Sequence, residues 1–392
     1  MVAPVVRRFR PVEVISCVAI LSILVDGAVD VTGCPTEFLG RCTCRRDKYE
    51  DRIQFITNCT NTRFTDVSLL EQIPPETEVL IFTGNTLHDL PANVFGLEEN
   101  NLTVVDLSDN RIRTIKGQTF HHVSDVYRLI LNSNDIEITN GNEHKRLFSN
   151  FEVLRELHLT NAFNDRVNST VALMSLERIF RGSELTHLRR LHLEDNEIDS
   201  VGNPNIFCEL PNVEQILLSY NRIFSFPFNI SCLKKLRFLD LEFNNIQTLD
   251  QTTLILFDQI PELTVDLKGN PFVCDSYLSD MLTWMKKTPV YLRQRTDYVC
   301  KEGRPSSNIG LALDDVKETE ATSYMVIKTT SGSDTFWTVF LTLFVVSILL
   351  GSAYAYRRRK AILNKLAPEW RNLVSKLYYT SLVEPEPTPE AL

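Results

Sequence analysis

The sequence predicts an α/β solenoid with a cysteine-bearing cap at each end, followed by one membrane-spanning helix. Three observations predict it: a motif written eight times, cysteines clustered just outside the first and last copies, and a 21-residue uncharged, mostly apolar run near the C-terminus. The motif is clearest in LRRLHLEDNEI, VEQILLSYNRI and LKKLRFLDLEFNNI, which share the pattern LxxLxLxxNxL. Its asparagine slot falls at Asn85, Asn110, Asn134, Ala162, Asn196, Asn221, Asn244 and Asn270, with gaps of 23 to 28 residues apart from one of 34.

That spacing is the period of a leucine-rich repeat. Strand side chains alternate, so the two apolar residues of each L-x-L point into a core and those between them face out. The asparagine can hydrogen-bond backbone where the strand turns, and stacked copies line these residues up in a ladder. No copy buries its apolar face alone, so about eight repeats fold as a unit and present one concave strand surface. The expected sheet has eight parallel strands, with irregular or short helical segments on the convex side. Such a surface binds other molecules.

Before the solenoid, Arg7, Arg8 and Arg10 precede an apolar run from Val14 to Val25, the layout of a secretory signal. The run is too short to span a bilayer, and cleavage anywhere within 27–33 is compatible with the residues. Removal of this segment takes Cys17 with it and leaves eight cysteines, all ahead of the membrane span. An even count on one side of a membrane fits an oxidising compartment. Four sequons at Asn58, Asn101, Asn168 and Asn229 lie in the same region and make it a candidate glycoprotein. The net charge of −9 in 392 residues argues against a nucleic-acid partner.

From 336 to 356 the chain is uncharged, then turns to Arg357, Arg358, Arg359 and Lys360. That length spans a bilayer, and the basic cluster places the C-terminus in the cytoplasm. A single-pass type I protein of the plasma membrane follows, with its N-terminus extracellular. Residues 317–335 are rich in serine and threonine and read as a stalk. In the tail, 357–392, Trp370, Leu373, Val374 and Leu377 fall at helical spacing, as an amphipathic helix on the inner leaflet would; the alternative is a tail that merely anchors.

An array of repeats exposes apolar core at both ends and needs caps. Cys34, Cys42, Cys44 and Cys59 precede the first copy within 34–73. Cys274 and Cys300 follow the repeats of 74–270, within 271–316. Both spacings resemble the cysteine-rich flanking caps of extracellular leucine-rich repeat proteins. That resemblance implies Cys34 bonded to Cys44, and Cys42 to Cys59. Caps of the second type carry two bridges, first cysteine to third and second to fourth. Here Ser276 stands in the second slot and no cysteine occurs near Asp314 or Val316, where the fourth belongs. Both halves of one bridge are absent together, which leaves Cys274 with Cys300. Cys208 and Cys232 hold nearly equivalent places in adjacent copies, about 4.8 Å apart in sheet spacing. A bridge fits there, and two unbonded thiols are the alternative.

The fourth copy lacks its asparagine, and an insertion at about 163–187 carries a sequon and a helical apolar run. With the cap sequence GNPFVCDSYLSDMLTWMKKTPV, these features resemble the trophoblast glycoprotein (Wnt-activated inhibitory factor) family, from the first cap through the span. The resemblance implies a plasma-membrane glycoprotein that dampens Wnt/β-catenin signalling and affects adhesion and motility. Its partner is then an extracellular or membrane protein, either a Wnt pathway component or an adhesion ligand. The missing bridge in the second cap departs from the family pattern. Two other readings stand beside this one: an adhesion or synapse-organising receptor, and an auxiliary subunit of an ion channel.

The repeat frame places Leu217, Tyr220, Phe238 and Phe243 on the outward face of the sixth and seventh copies, with Tyr127 and Ile130 in the third. Exposed apolar and aromatic residues in neighbouring copies are candidate anchors for a protein partner; the alternative is ordinary scattered exposure. His158 and His192 stack in one column near Glu194. Their ligand set is too loose for a metal, and what they imply is a face that titrates near pH 6.5. No catalytic triad, phosphate loop or metal spacing is present, so the chain reads as a binding protein without a cofactor rather than an enzyme.

Overall fold

Repetition of the L-x-L motif produces one short strand per copy, and these strands stack in parallel. In the computed structural model, which describes residues 33–138, 146–317 and 340–362, the strands are Val79–Ile81, Val104–Asp106, Arg128–Ile130, Glu156–His158, Arg190–His192, Gln215–Leu217, Phe238–Asp240 and Thr264–Asp266. Their register is uniform: Leu191 faces Ile216, which faces Leu239, which faces Val265. These central residues are all buried, so the middle column is core. The sheet is larger than the repeats alone supply. Among the described residues it holds eleven strands, because the first cap adds a hairpin and the second cap adds Tyr291–Arg293.

The asparagines close the strand turns as a ladder. Asn134 Oδ1 accepts from the N–H groups of Asn110 (3.1 Å) and Ile112 (3.0 Å) in the preceding copy. Asn221 Oδ1 does the same for Asn196 and Ile198, and Asn270 Oδ1 takes the N–H of Ile246. Ala162 interrupts the series. There Ile136 N–H donates to the Ala162 carbonyl at 2.8 Å, a backbone bond in place of the missing side chain.

The insertion after the fourth copy is a helix, α1 (Ser169–Ser183), whose first turn is capped by Asn168 Oδ1 accepting from Thr170 N–H. Its apolar stripe, Leu173, Leu176, Ile179 and Phe180, is buried in the common core. Aromatic contacts continue that core from Phe207 through Phe228, Phe226 and Phe257 to Trp284 of the second cap.

Disulfides join Cys34 to Cys44 and Cys42 to Cys59 in the first cap, Cys208 to Cys232 between two copies, and Cys274 to Cys300 in the second cap. Where the second cap lacks a bridge, Arg295 forms a two-pronged ion pair with Asp314 (2.9 Å from Nε to each oxygen) and donates from Nη1 to the Met285 carbonyl. The buried Tyr298 hydroxyl accepts from Leu267 N–H and donates to the Arg293 carbonyl, fastening the cap to the last copy.

Helix α2 (Phe340–Ile362) is 23 residues long, apolar enough to cross a membrane by length and composition. Within the described residues the helix runs on past 356, where the uncharged stretch ends. The helix continues through Arg357, Arg358, Arg359 and Lys360, because Arg, Lys and Ala are good helix formers and nothing there breaks the turn. The secretory signal, most of the stalk and the tail from 363 onward, including the amphipathic segment at Trp370, lie outside the described residues.

Candidate functional site

The N-terminal end of the sheet is partly covered by its own cap. The hairpin Thr43–Tyr49 with Arg52–Asn58 pairs with the first copy only at its base, through Ile56, Thr57 and Asn58. Its tip reaches the third copy, where Glu50 meets Arg128. Arg128 also holds Glu156 at 2.8 Å, and Glu156 meets His158 at 3.3 Å. The hydrogen bond from His158, with the neighbouring Arg128 and Arg190 charges, lowers Glu156 to about 2. Burial pushes the His158 imidazole down. His158 and His192 stack with ring centres 3.9 Å apart, and His192 Nδ1 pairs with Glu194 at 2.8 Å. Most polar groups here are paired with one another; the buried His192 Nε2 is the exception and has no hydrogen-bond partner.

Beyond the fifth copy the surface changes. The position just before each asparagine slot is left-handed in every copy: Gly84, Asp109, Ser133, Asn161, Asp195, Tyr220, Phe243 and Gly269 all have φ between 48° and 76°. Six of the eight are Gly, Asp, Asn or Ser, which tolerate that conformation. Tyr220 and Phe243 do not fit it, and holding a bulky residue there costs about 1–3 kcal/mol. Their rings stack at 4.7 Å with a 12° interplanar angle, and they are 58% and 40% exposed. Phe243 in turn covers Gly269, where an added Cβ would lie 2.5 Å from the ring.

Leu217 and Phe238 are half-buried on the strands beside this pair, with the Arg293 guanidinium 5.5 Å from the centre of the Phe238 ring. Exposed Tyr291, the register partner of Thr264, extends the aromatic surface onto the second cap. Tyr127 and Ile130 lie in the third copy, near the hairpin tip, and are half-buried.

The sequence reading missed the carboxylates of this region. Asp240 and Asp266 are register partners on adjacent strands, and Glu242 lies two residues on from Asp240. Burial, helped by the nearby Asp266 and Glu194 charges, raises Asp240. Burial first, then its contact with Asp266, pushes Glu242 up to about 7. A signal was available: writing the copies in register puts Asp240 and Asp266 side by side in one outward column, with Asp106 further along it.

The sequons lie apart from this surface. Asn101 is exposed, Asn168 caps α1, and Asn229 sits in a turn where its Oδ1 accepts from Ser231 N–H and Oγ. Asn58, at the base of the cap hairpin, accepts from Thr60 in the same manner.

Among known sequences, the profile of the leucine rich repeat family matches residues 186–246. Trophoblast glycoprotein of Macaca fascicularis is 28% identical over 241 residues, and that of Mus musculus 28% over 249. Each match covers 59% of this chain and 57% of the relative, so the chain spans little more than half the length of those proteins. Podocan of Mus musculus is 28% identical over 175 residues, 44% of this chain and 25% of podocan. The crystal structure of human trophoblast glycoprotein (Wnt-activated inhibitory factor 1) superposes with a TM-score of 0.58 at 26% identity. It covers 67% of this chain and 93% of the solved one.

Proposed function

We propose that this chain, a cell-surface leucine-rich repeat glycoprotein related to trophoblast glycoprotein, lowers Wnt/β-catenin signalling by holding a protein partner on the concave face of its sixth and seventh copies. The observation that supports this reading is the likeness to the solved Wnt-activated inhibitory factor 1, which extends over nearly all of that structure. In this reading 1–33 is removed as a signal, 34–316 is extracellular and glycosylated at Asn58, Asn101, Asn168 and Asn229, and α2 anchors the chain in the plasma membrane as a type I protein. Arg357, Arg358, Arg359 and Lys360 then face the inner leaflet. Leu217, Tyr220, Phe238 and Phe243 supply the partner surface, since a few aromatic anchors dominate interface energy.

A Wnt-responsive reporter in cells expressing the full chain tests this. The reporter should fall, and Tyr220→Ala with Phe243→Ala should restore it while surface expression is kept. Leu218→Ala and Leu241→Ala, fully buried neighbours, should instead cost roughly 2–5 kcal/mol of stability and lower surface expression. A reporter unmoved by well-expressed protein overturns the Wnt reading. A reporter that falls equally with the aromatic variant moves the partner to another face.

A further inference from the structure

The acids of the seventh and eighth copies are under-compensated. Asp266 is fully buried; its Oδ1 accepts from Lys268 N–H at 3.1 Å, but its Oδ2 has no hydrogen-bond donor. Arg293 Nε stands off at 3.6 Å, too far to donate, and its guanidinium also faces Phe238. The Lys268 ammonium, the other cation at hand, is already engaged by Asp297 at 3.0 Å and Gln294 at 2.7 Å of the cap. The Glu242 carboxyl lies beside Asp266 and, as a second acid, brings it no positive charge. Asp240 adds a third carboxylate, in register with Asp266, and Glu194 of the fifth copy lies close enough to act on Asp240.

Next along the chain from Glu242 stands Phe243, stacked on Tyr220 with both rings open to solvent. Carboxylates beside exposed aromatic faces match one chemical class, the delocalised organic cation. A guanidinium stacks on the rings and sends its planar N–H fork to carboxylate oxygens, which a compact ammonium does less well. Among the described residues no group of His, Cys, Asp and Glu is gathered closely enough to hold a metal ion. An anionic membrane or nucleic acid would be repelled here.

We infer that the concave face of the sixth to eighth copies is a receptor for a basic side chain, arginine above all, of a protein partner, stacked on Tyr220 and Phe243 and paired with Asp240 and Glu242. This rests on the reading that the face binds a protein, and names that partner's chemistry. The incoming cation takes the place of the proton that Glu242 keeps while the site is empty, held there by burial and the neighbouring Asp266. Glu242 sits near pH 7 while the site is empty, so binding releases a proton and weakens as pH falls. The charged groups around Glu242 are Asp240, Asp266 and Lys268, with Arg293 and Asp297 behind them.

The test uses the full chain in lipid nanodiscs and a fluorescein-labelled hexa-arginine peptide, read by anisotropy, with hexa-citrulline as the uncharged isostere. Hexa-arginine should bind and hexa-citrulline should not. Affinity should fall about tenfold for Glu242→Gln with Asp240→Asn, and similarly for Tyr220→Ala with Phe243→Ala. Glu98→Gln, an exposed acid on an early copy, should leave it unchanged. The wild-type affinity should drop between about pH 7.5 and pH 5.5, and Glu242→Gln, which keeps the side-chain shape, should flatten that drop. Equal binding of hexa-citrulline, equal effects of Glu98→Gln and Glu242→Gln, or a pH-independent wild type would each overturn the inference. If the aromatic variant restores the Wnt reporter yet binds hexa-arginine normally, the cation receptor falls and the partner surface stands.

Discussion

Replacing one ladder asparagine tests whether the repeats cohere through these side chains. Asn221 makes five hydrogen bonds: its Oδ1 accepts from Asn196 N–H (3.0 Å) and Ile198 N–H (2.9 Å), and its Nδ2 donates to the carbonyls of Leu193, Leu218 and Ser219. Asn221→Ala deletes all five and leaves two N–H groups in residues that are 8% and 1% exposed. A buried donor without a partner costs about 1–3 kcal/mol, so the pair comes to about 2–6 kcal/mol. The carbonyls add less, because two of the three keep another donor: Ser219 accepts from Asp195 N–H and Leu218 from Asn244 Nδ2. We expect a loss of about 4 kcal/mol, a large share of the roughly 5–15 kcal/mol that a folded domain has to lose.

The assay is equilibrium urea unfolding of a secreted fragment, residues 1–317, which contains a single tryptophan, Trp284 in the second cap. Far-UV circular dichroism follows the array, and Trp284 fluorescence follows the cap that closes it. The two midpoints should fall together, since stacked copies share one core. Tyr220→Ala, one residue away, is the control and should change stability by under about 1 kcal/mol because its ring is largely in solvent. A loss below about 1 kcal/mol for Asn221→Ala would mean that water or a relaxed turn replaces the ladder, and the argument from buried donors would fail.

Gly269→Ala should cost about 1–2 kcal/mol, since φ is +76° there. The new Cβ should also push Phe243 off Tyr220, so partner binding should weaken in the same variant; retained binding would show that the stack is dispensable. Two glutamates should shift stability with pH in opposite senses, measured as melting midpoints of the fragment. Glu156, lowered to about 2, contributes stability that is full above its ordinary value near 4.5 and is lost as pH falls toward 2. Glu156→Gln should therefore destabilise near neutrality and converge on wild type in acid. Glu242, raised to about 7, binds its proton more tightly folded than unfolded, so its ionisation costs stability as pH rises from about 4.5 through 7. Glu242→Gln should stabilise at about pH 8 and do little at about pH 4; the reverse order would show that burial and Asp266 do not hold the Glu242 proton.

Features with the period of the repeat were legible in the sequence, and features that break the period were not. Asn110 and Asn134 reveal a ladder because one hydrogen-bonding role recurs at one spacing. Leu218 and Leu241 reveal the inward face for the same reason. The hairpin tip, in contrast, depends on Glu50 meeting Arg128, two residues 78 positions apart whose pairing no local pattern encodes. The second cap is a similar case: absence of a bridge was visible at Ser276, while its replacement by Arg295 and Asp314 depends on how the cap folds back on the short helix Ser279–Met285.

The left-handed column lies between these extremes and explains why the candidate site sits where it does. Gly84, Asp109, Asn161 and Gly269 occupy it as turn chemistry requires, so the slot is periodic. An aromatic residue there gains nothing for the fold: it accepts strain of about 1–3 kcal/mol and leaves its ring in water. Two such residues in successive copies, stacked on each other and beside an aspartate with an unmet oxygen, make a surface that is poor for the isolated chain on both counts. A ligand that stacks on the rings and brings positive charge to Asp240 and Glu242 covers the exposed aromatic faces and offsets the crowded carboxylates at once. His158 and His192 are poorer main contacts: Glu156 and Glu194 already pair with them, their stacked side chains are mostly buried, and the one unmet atom, His192 Nε2, is itself buried and has no exposed aromatic face beside it.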